Sequence, residues 1–143
     1  MLIRLTPEQV TAYWEAIKEG LEEALPLERM HSNSINNILE SVLIGIMQVW
    51  ISLRRDTKEV VGIVLTTTAE DKVSKTKSLL IYSAHSFVQT IPEDWKEGFM
   101  ALSKFAKAFK CHNIIAYTSN EDIRKIASHF DAKEEILLTF NLH

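Results

Sequence analysis

Near residue 46 the chain changes its hydrophobic period, and that change limits the folds open to it. Before it, Ile35, Ile38, Leu39, Val42, Leu43 and Ile46 recur every three or four positions, the stripe of an amphipathic helix. In MQVWISLR the period becomes two, with Met47, Val49, Ile51 and Leu53 alternating with Gln48, Trp50, Ser52 and Arg54. No element satisfies both periods, so a helix hands over to a half-buried strand. Two more strands follow: EVVGIVLTTT at 59–68, apolar enough to be buried on both faces, and SLLIYSAHSFV at 78–88. The turns RDTKE and AEDKVSKTK between them are too short for a crossover, which predicts an antiparallel meander.

The flanks extend the pattern. LIRL at 2–5 reads as a short first strand, and Thr6-Pro7-Glu8-Gln9 joins a capping box to proline at the first helical position. Val10, Tyr13, Trp14, Ile17, Leu21 and Leu25 predict one helix that ends at Pro26, and the polar run HSNSINN starts the next. Thr90-Ile91-Pro92-Glu93 is a second capping box, with Trp95, Phe99, Leu102, Phe105, Ala106 and Phe109 on one side of the helix behind it. NIIAYT at 113–118 is mainly apolar, as a central strand would be. Ser119 or Asn120 caps a short helix that turns Ile123, Ile126, Ala127 and Phe130 inward, and EILLTFNL at 135–142 is expected as the last strand. The connection from 78–88 to 113–118 passes through one helix, so those two strands are expected to be parallel, with a right-handed crossover. The expectation is a single α/β domain over 1–143 with a mixed sheet. Its order is (β)-α-α-β-β-β-α-β-α-β, with the parallel pair in the centre.

Composition excludes several classes. The apolar and charged fractions, 46% and 24%, are those of a folded globular chain. A formal charge of −3 gives no long-range attraction to nucleic acid or to an anionic membrane. The longest apolar run, VLIGIM, is too short to span a bilayer, and the start MLIRLTPEQ lacks the pattern of a signal peptide. One cysteine, Cys111, allows no internal disulfide, which is compatible with a reducing compartment. Cys111 and His112 adjoin without a second pair at zinc-ligand spacing, so no metal is expected. Lys104, Lys107 and Lys110 complement a helix C-terminus and do not make a nucleic-acid stripe. Trp50 falls on the polar side of its strand, where it either rests beneath one of the first two helices or marks an exposed patch for a protein partner.

The element order, together with CHNIIAYTSNEDIRKIASHFDAKEEILLTF, resembles the GNAT superfamily of N-acetyltransferases. More narrowly, ILESVLIGIMQVWIS, KSLLIYS and KCHNIIAYT resemble small GNAT-like proteins of tailed bacteriophages, some carried in virion gene blocks. The resemblance implies a phosphate-binding helix start with the pattern Gln or Arg, two residues, Gly, one residue, then Gly or Ala. Here Gly98 matches the last glycine, Lys96 stands at the first and Glu93 at the Gln or Arg position. Glu93, Asp94 and Glu97 suit the helix dipole and would repel a pyrophosphate. A tyrosine that many members place seven residues after the asparagine of the last helix, here Asn120, is Ala127. For a general base the resemblance leaves Glu70, Asp71, Tyr82 and His85 near the relevant strand ends, Glu70 and Asp71 lying in a lysine-rich turn.

Two readings follow. One is a non-catalytic, phage-encoded structural or virion-associated interaction module, with no cofactor and protein partners, located in the host cytoplasm or the virion. The alternative is an N-acyltransferase with acetyl-CoA held by Ser83, Ala84, His85, Asn120 and the amides of Trp95 and Lys96. Either leaves the oligomeric state open.

Overall fold

The computed structural model describes residues 1–24, 33–118 and 120–142. Strand β1 (Leu2–Arg4) leads into helices α1 (Pro7–Ala12), α2 (Trp14–Ala24) and α3 (Ser34–Leu43). Strands β2 (Met47–Leu53), β3 (Val60–Glu70) and β4 (Lys77–Ser86) follow, then α4 (Pro92–Ala108), β5 (Asn113–Ala116) and α5 (Glu121–Ser128). The sheet order is β1-β2-β3-β4-β5, antiparallel throughout except for the parallel pair β4–β5.

The period change at residue 46 has a local cause. After α3 the amide of Ile46 donates to the carbonyl of Ser41 at 2.9 Å and that of Gly45 to Val42 at 3.1 Å, with Gly45 at φ 87. This double closure needs a left-handed residue, which glycine adopts without a Cβ clash. Leu43 and Ile46, expected on the inward stripe, are exposed: Leu43 is the last residue of α3, and Ile46 lies beyond the helix end.

Both sheet faces are covered. On one, Val10, Ile17, Leu21, Ile35, Ile38 and Val42 from α1–α3 pack on Val49, Ile63 and Leu65. On the other, α4 lays Leu102 and Ala106 over Trp50 and Leu79. Trp50 is 4% exposed, with its ring edge-on to Phe105 at 5.2 Å. It therefore lies beneath α4, under neither of the first two helices, and is no exposed patch. Alternation in β2 put Trp50 on a face that is polar only at its ends.

Four expectations need correction. The first long helix is two, broken at Tyr13 (φ −110, ψ 21), which points to solvent. Its expected end at Leu25–Pro26 lies outside the described residues, as does Ser119, and Asn120 is the cap of α5. The strand at 113–118 stops at Ala116 and is the edge of the sheet, so the parallel pair is not central. Residues 135–142 form no strand among the described residues. Their alternating apolar pattern favours a pleated surface, yet a strand also requires a neighbour to accept its peptide groups.

Candidate active site

The parallel pair ends before β4 does. Register runs from Ser78 opposite Asn113 to Ile81 opposite Ala116, where β5 stops. β4 continues to Ser86, held on one side by β3, with Ser83, Ala84, His85 and Ser86 opposite Leu65, Val64, Ile63 and Gly62. Among the described residues no strand pairs with the other edge of Tyr82–Ser86. This fork in the pairing lies at the carboxyl ends of two parallel strands, the usual place for a ligand crevice in an open α/β sheet.

A bulge marks the fork point. Leu65 faces Ser83 while Thr66 faces Ile81, so Tyr82 is an extra residue in β4. The first residue beyond the last parallel pair is a tyrosine on each strand, Tyr82 on β4 and Tyr117 after β5, and both are exposed. Tyr117 was not singled out in the sequence because NIIAYT reads as one uninterrupted apolar strand.

His85, three residues beyond the bulge, points to the α2 side. Its Nε2 stands 3.6 Å from a carboxylate oxygen of Glu23, and its ring meets Phe87 edge-on at 5.2 Å. At 3.6 Å this is a charge contact longer than a hydrogen bond, and an imidazole beside a carboxylate is a candidate general base. Glu23 gave no signal in the sequence, where it is one of several acids on an amphipathic helix. Glu70 does not join this site. It pairs with Lys77 at the opposite end of β4, about 26 Å of extended chain from His85, beside Asp71. The carboxylate of Asp71 accepts from the amides of Ser74 and Val73, which hold its pKa below the usual range.

The start of α4 differs from the expected box by one residue. Ile91, not Thr90, is the N-cap, and Asp94, not Glu93, reaches back to accept the Ile91 amide at 2.9 Å. Thr90 instead accepts the indole N–H of Trp95 at 2.8 Å. Pro92 has no amide proton and the Asp94 amide donates to Ile91 at 3.0 Å, so the end is largely self-capped. Trp95 and Lys96 stand fourth and fifth in the helix, past the turn where amides lack helical acceptors.

The acids there do not form the bare negative cluster the sequence implied. Arg54 lies 3.8 Å from Asp94, and Glu97 meets the Met1 ammonium at 2.8 Å and Arg55 at 3.3 Å. The ammonium hydrogen bond, opposed by desolvation and helped by both positive charges, holds the Glu97 pKa below its ordinary value. Gly98 has open space where a Cβ would stand, so no close approach requires glycine there. Asn120 caps α5, its Oδ1 accepting from Asp122 at 2.9 Å and Ile123 at 3.3 Å. Cys111 is half-buried against the α4 face of the core. No helix among the described residues is long and apolar enough to cross a membrane.

Comparison with known proteins locates this geometry. No family model matches the chain, and no curated protein matches it in sequence at a significant level. Solved structures do match over its whole length. The aminoglycoside acetyltransferase AAC(6')-Iy, in complex with a CoA-linked bisubstrate analogue, superposes with a TM-score of 0.76 at 12% identity, covering 100% of this chain and 97% of the other. A probable acetyltransferase gives 0.74 at 11% identity, with the same coverage. A ribosomal-protein-alanine N-acetyltransferase from Brucella melitensis biovar Abortus 2308 gives 0.66 at 10% identity, covering 100% and 99%. At these identities the likeness concerns the fold, and the fold is that of the GNAT acetyltransferases.

Proposed function

We propose that this protein is an acyl-CoA-dependent N-acyltransferase working at the fork between β4 and β5. The observation that carries the reading is the unpaired edge of β4 from Tyr82 to Ser86, at the carboxyl end of a parallel pair. Acyl-CoA ends in an extended arm bearing amides, which can complete such an edge as an added strand would. The residues fit that arm better than they fit the pyrophosphate. Ser83, Ala84 and His85 offer their backbone, while the self-capped start of α4 leaves the Glu93 amide and the Lys96 side chain for the phosphates. Acetyl-CoA, when bound, supplies the thioester.

The chain's own residues then divide the proton work. His85, which lies 3.6 Å from Glu23, takes the proton of the attacking amine as the new N–C bond forms. A phenol at the fork, Tyr117 or Tyr82, protonates the sulfur as the C–S bond breaks. This assignment fills the role that Ala127 cannot.

The self-capped α4 start favours a second reading, a non-catalytic interaction module that keeps the fold without the cofactor. A thermal-shift titration separates the two. Acetyl-CoA at one hundred times its dissociation constant adds about 2.7 kcal/mol, or about 5–10 °C for a chain of this size. A flat response at millimolar acetyl-CoA refutes the enzyme reading.

A further inference from the structure

We infer that the end of the sheet opposite the fork is a docking surface for an anionic lipid bilayer. The inference stands apart from the enzymatic reading. Three loops meet at that end. Met47 lies opposite Thr67, and the Thr67 hydroxyl donates to the Ile46 carbonyl at 2.7 Å, which places the loop between α3 and β2 there. The β3–β4 hairpin turns just after Glu70, which stands opposite Lys77. The His112 amide donates to the Lys77 carbonyl at 2.7 Å and so brings in the turn between α4 and β5.

Positive charge and apolar surface are concentrated together here. Segments 40–46, 70–77 and 104–112 hold six lysines and three carboxylates, a local +3 in a chain whose formal charge is −3. Five of the lysines, Lys72, Lys75, Lys104, Lys107 and Lys110, are exposed. Among the described residues no carboxylate forms an ion pair with any of the six. The net charge gives no long-range attraction, but salt confines exposed charges to a reach of about 8–10 Å, so this end meets a surface with its own sign. Beside the lysines, Ile44 is 68% exposed, Ile46 51%, Val73 94% and Phe109 47%.

The hairpin tip is fixed by its own hydrogen bonds. The Asp71 carboxylate accepts from the amides of Val73 and Ser74, and the Asp71 amide donates to Thr76 at 2.9 Å. The Lys75 amide donates to the Asp71 carbonyl at 2.8 Å, with Lys75 at φ 61. Val73 is thus held outward between Lys72 and Lys75, on a strand pair that runs from Thr67 to Glu70, about 10 Å past the start of β2. Interfacial segments sit about 5–10 Å into the boundary between headgroups and acyl chains. Val73 therefore leads, and Ile44 and Ile46 form the shoulder that follows. An anionic leaflet satisfies both parts, its headgroups meeting the ammonium groups and its acyl boundary the aliphatic side chains. A nucleic acid would meet the lysines alone, since bases stack on aromatic rings and Ile44, Ile46 and Val73 are aliphatic.

Cosedimentation of the full chain with vesicles of phosphatidylcholine, with and without a third of phosphatidylserine, tests the inference. Binding to the phosphatidylserine vesicles is expected to be stronger by about tenfold or more. Lys72→Gln with Lys75→Asn should weaken it by about tenfold or more, asparagine being at ease in the left-handed conformation at 75. Val73→Asp should weaken it as well. No binding to the anionic vesicles overturns the inference, as does equal binding to pure phosphatidylcholine or binding that both substituted chains retain in full. Displacement by polyglutamate with Val73→Asp silent also overturns it, and gives this end to an acidic protein. Hydrogen exchange on the unsubstituted chain decides should a variant fail to fold. Amides of 44–46, 72–76 and 110–112 are expected to gain protection on the vesicles while those of 83–86 do not, and any other pattern overturns the inference.

Discussion

The indole N–H of Trp50 on β2 donates to the hydroxyl of Thr66 on β3 at 2.9 Å, and that hydroxyl donates in turn to the side-chain carbonyl of Gln48 at 2.8 Å. Thr66 is the one polar residue among the fully buried side chains described, so this relay is what allows a tryptophan to sit under α4. Thr66→Val keeps the shape and strands the indole donor. A loss of about 1–3 kcal/mol is expected by chemical denaturation, with Thr66→Ser close to the parent.

Gly62 holds β3 and β4 together at the level of His85. A Cβ on Gly62 would stand 2.8 Å from the His85 carbonyl oxygen, a backbone atom that cannot swing away. Gly62→Ala is expected to cost about 1–3 kcal/mol, the range for overpacking. Amide chemical shifts of Ser83–Ser86 should move more than those of Lys77–Leu80.

Lys110 closes α4 in a left-handed conformation at φ 59, with the Cys111 amide on the Ala106 carbonyl at 2.8 Å. A non-glycine residue there costs about 1–2 kcal/mol. Lys110→Gly is therefore expected to raise the melting temperature by about 2–8 °C, and an unchanged or lower value would contradict the strain.

Arg124 lowers the pKa of Glu134 through its paired hydrogen bonds and then its charge, both groups being at the surface. A depressed folded-state value means the pair's contribution is present above the carboxyl's unfolded value, near pH 4.3, and fades as the pH falls through the folded value. Arg124→Gln should return the Glu134 titration, followed by NMR, to the ordinary carboxylate range.

His85 and Glu23 should separate chemistry from binding. If His85 takes the amine proton, His85→Gln lowers kcat by about 10²–10⁴ while leaving the affinity for acetyl-CoA near that of the parent. Glu23→Gln should lower kcat less, again with the affinity for acetyl-CoA near that of the parent. Equal losses in affinity and turnover would place His85 in cofactor binding instead.

The elements were legible in the sequence wherever one period dominated: the stripe of α3, the alternation of β2 and the Thr6 box of α1. What escaped it depends on pairing. Nothing in Asn-Ile-Ile-Ala distinguishes a central strand from an edge strand, and EILLTFNL carries a strand's pattern although it forms no strand among the described residues. The site was half legible. Ser83–His85 lie past the last parallel pair, whereas Glu70 was counted near a strand end without knowing which end. Asp94 displaced Glu93 because proline at the first helical position set the cap at Ile91. Glu23 comes near His85, and Tyr117 to the end of the parallel pair, through tertiary placement, which local spacing does not record.

The extra residue at Tyr82 divides β4 into two stretches with opposite orientation rules. Before it, Leu79 and Ile81 serve the layer under α4, whereas after it Ser83 and His85 face across to the α1–α3 layer. Substitutions that tune the first stretch for packing therefore leave the second free to diversify. One continuous ribbon can thus evolve as an anchor at its beginning and as a working edge at its end.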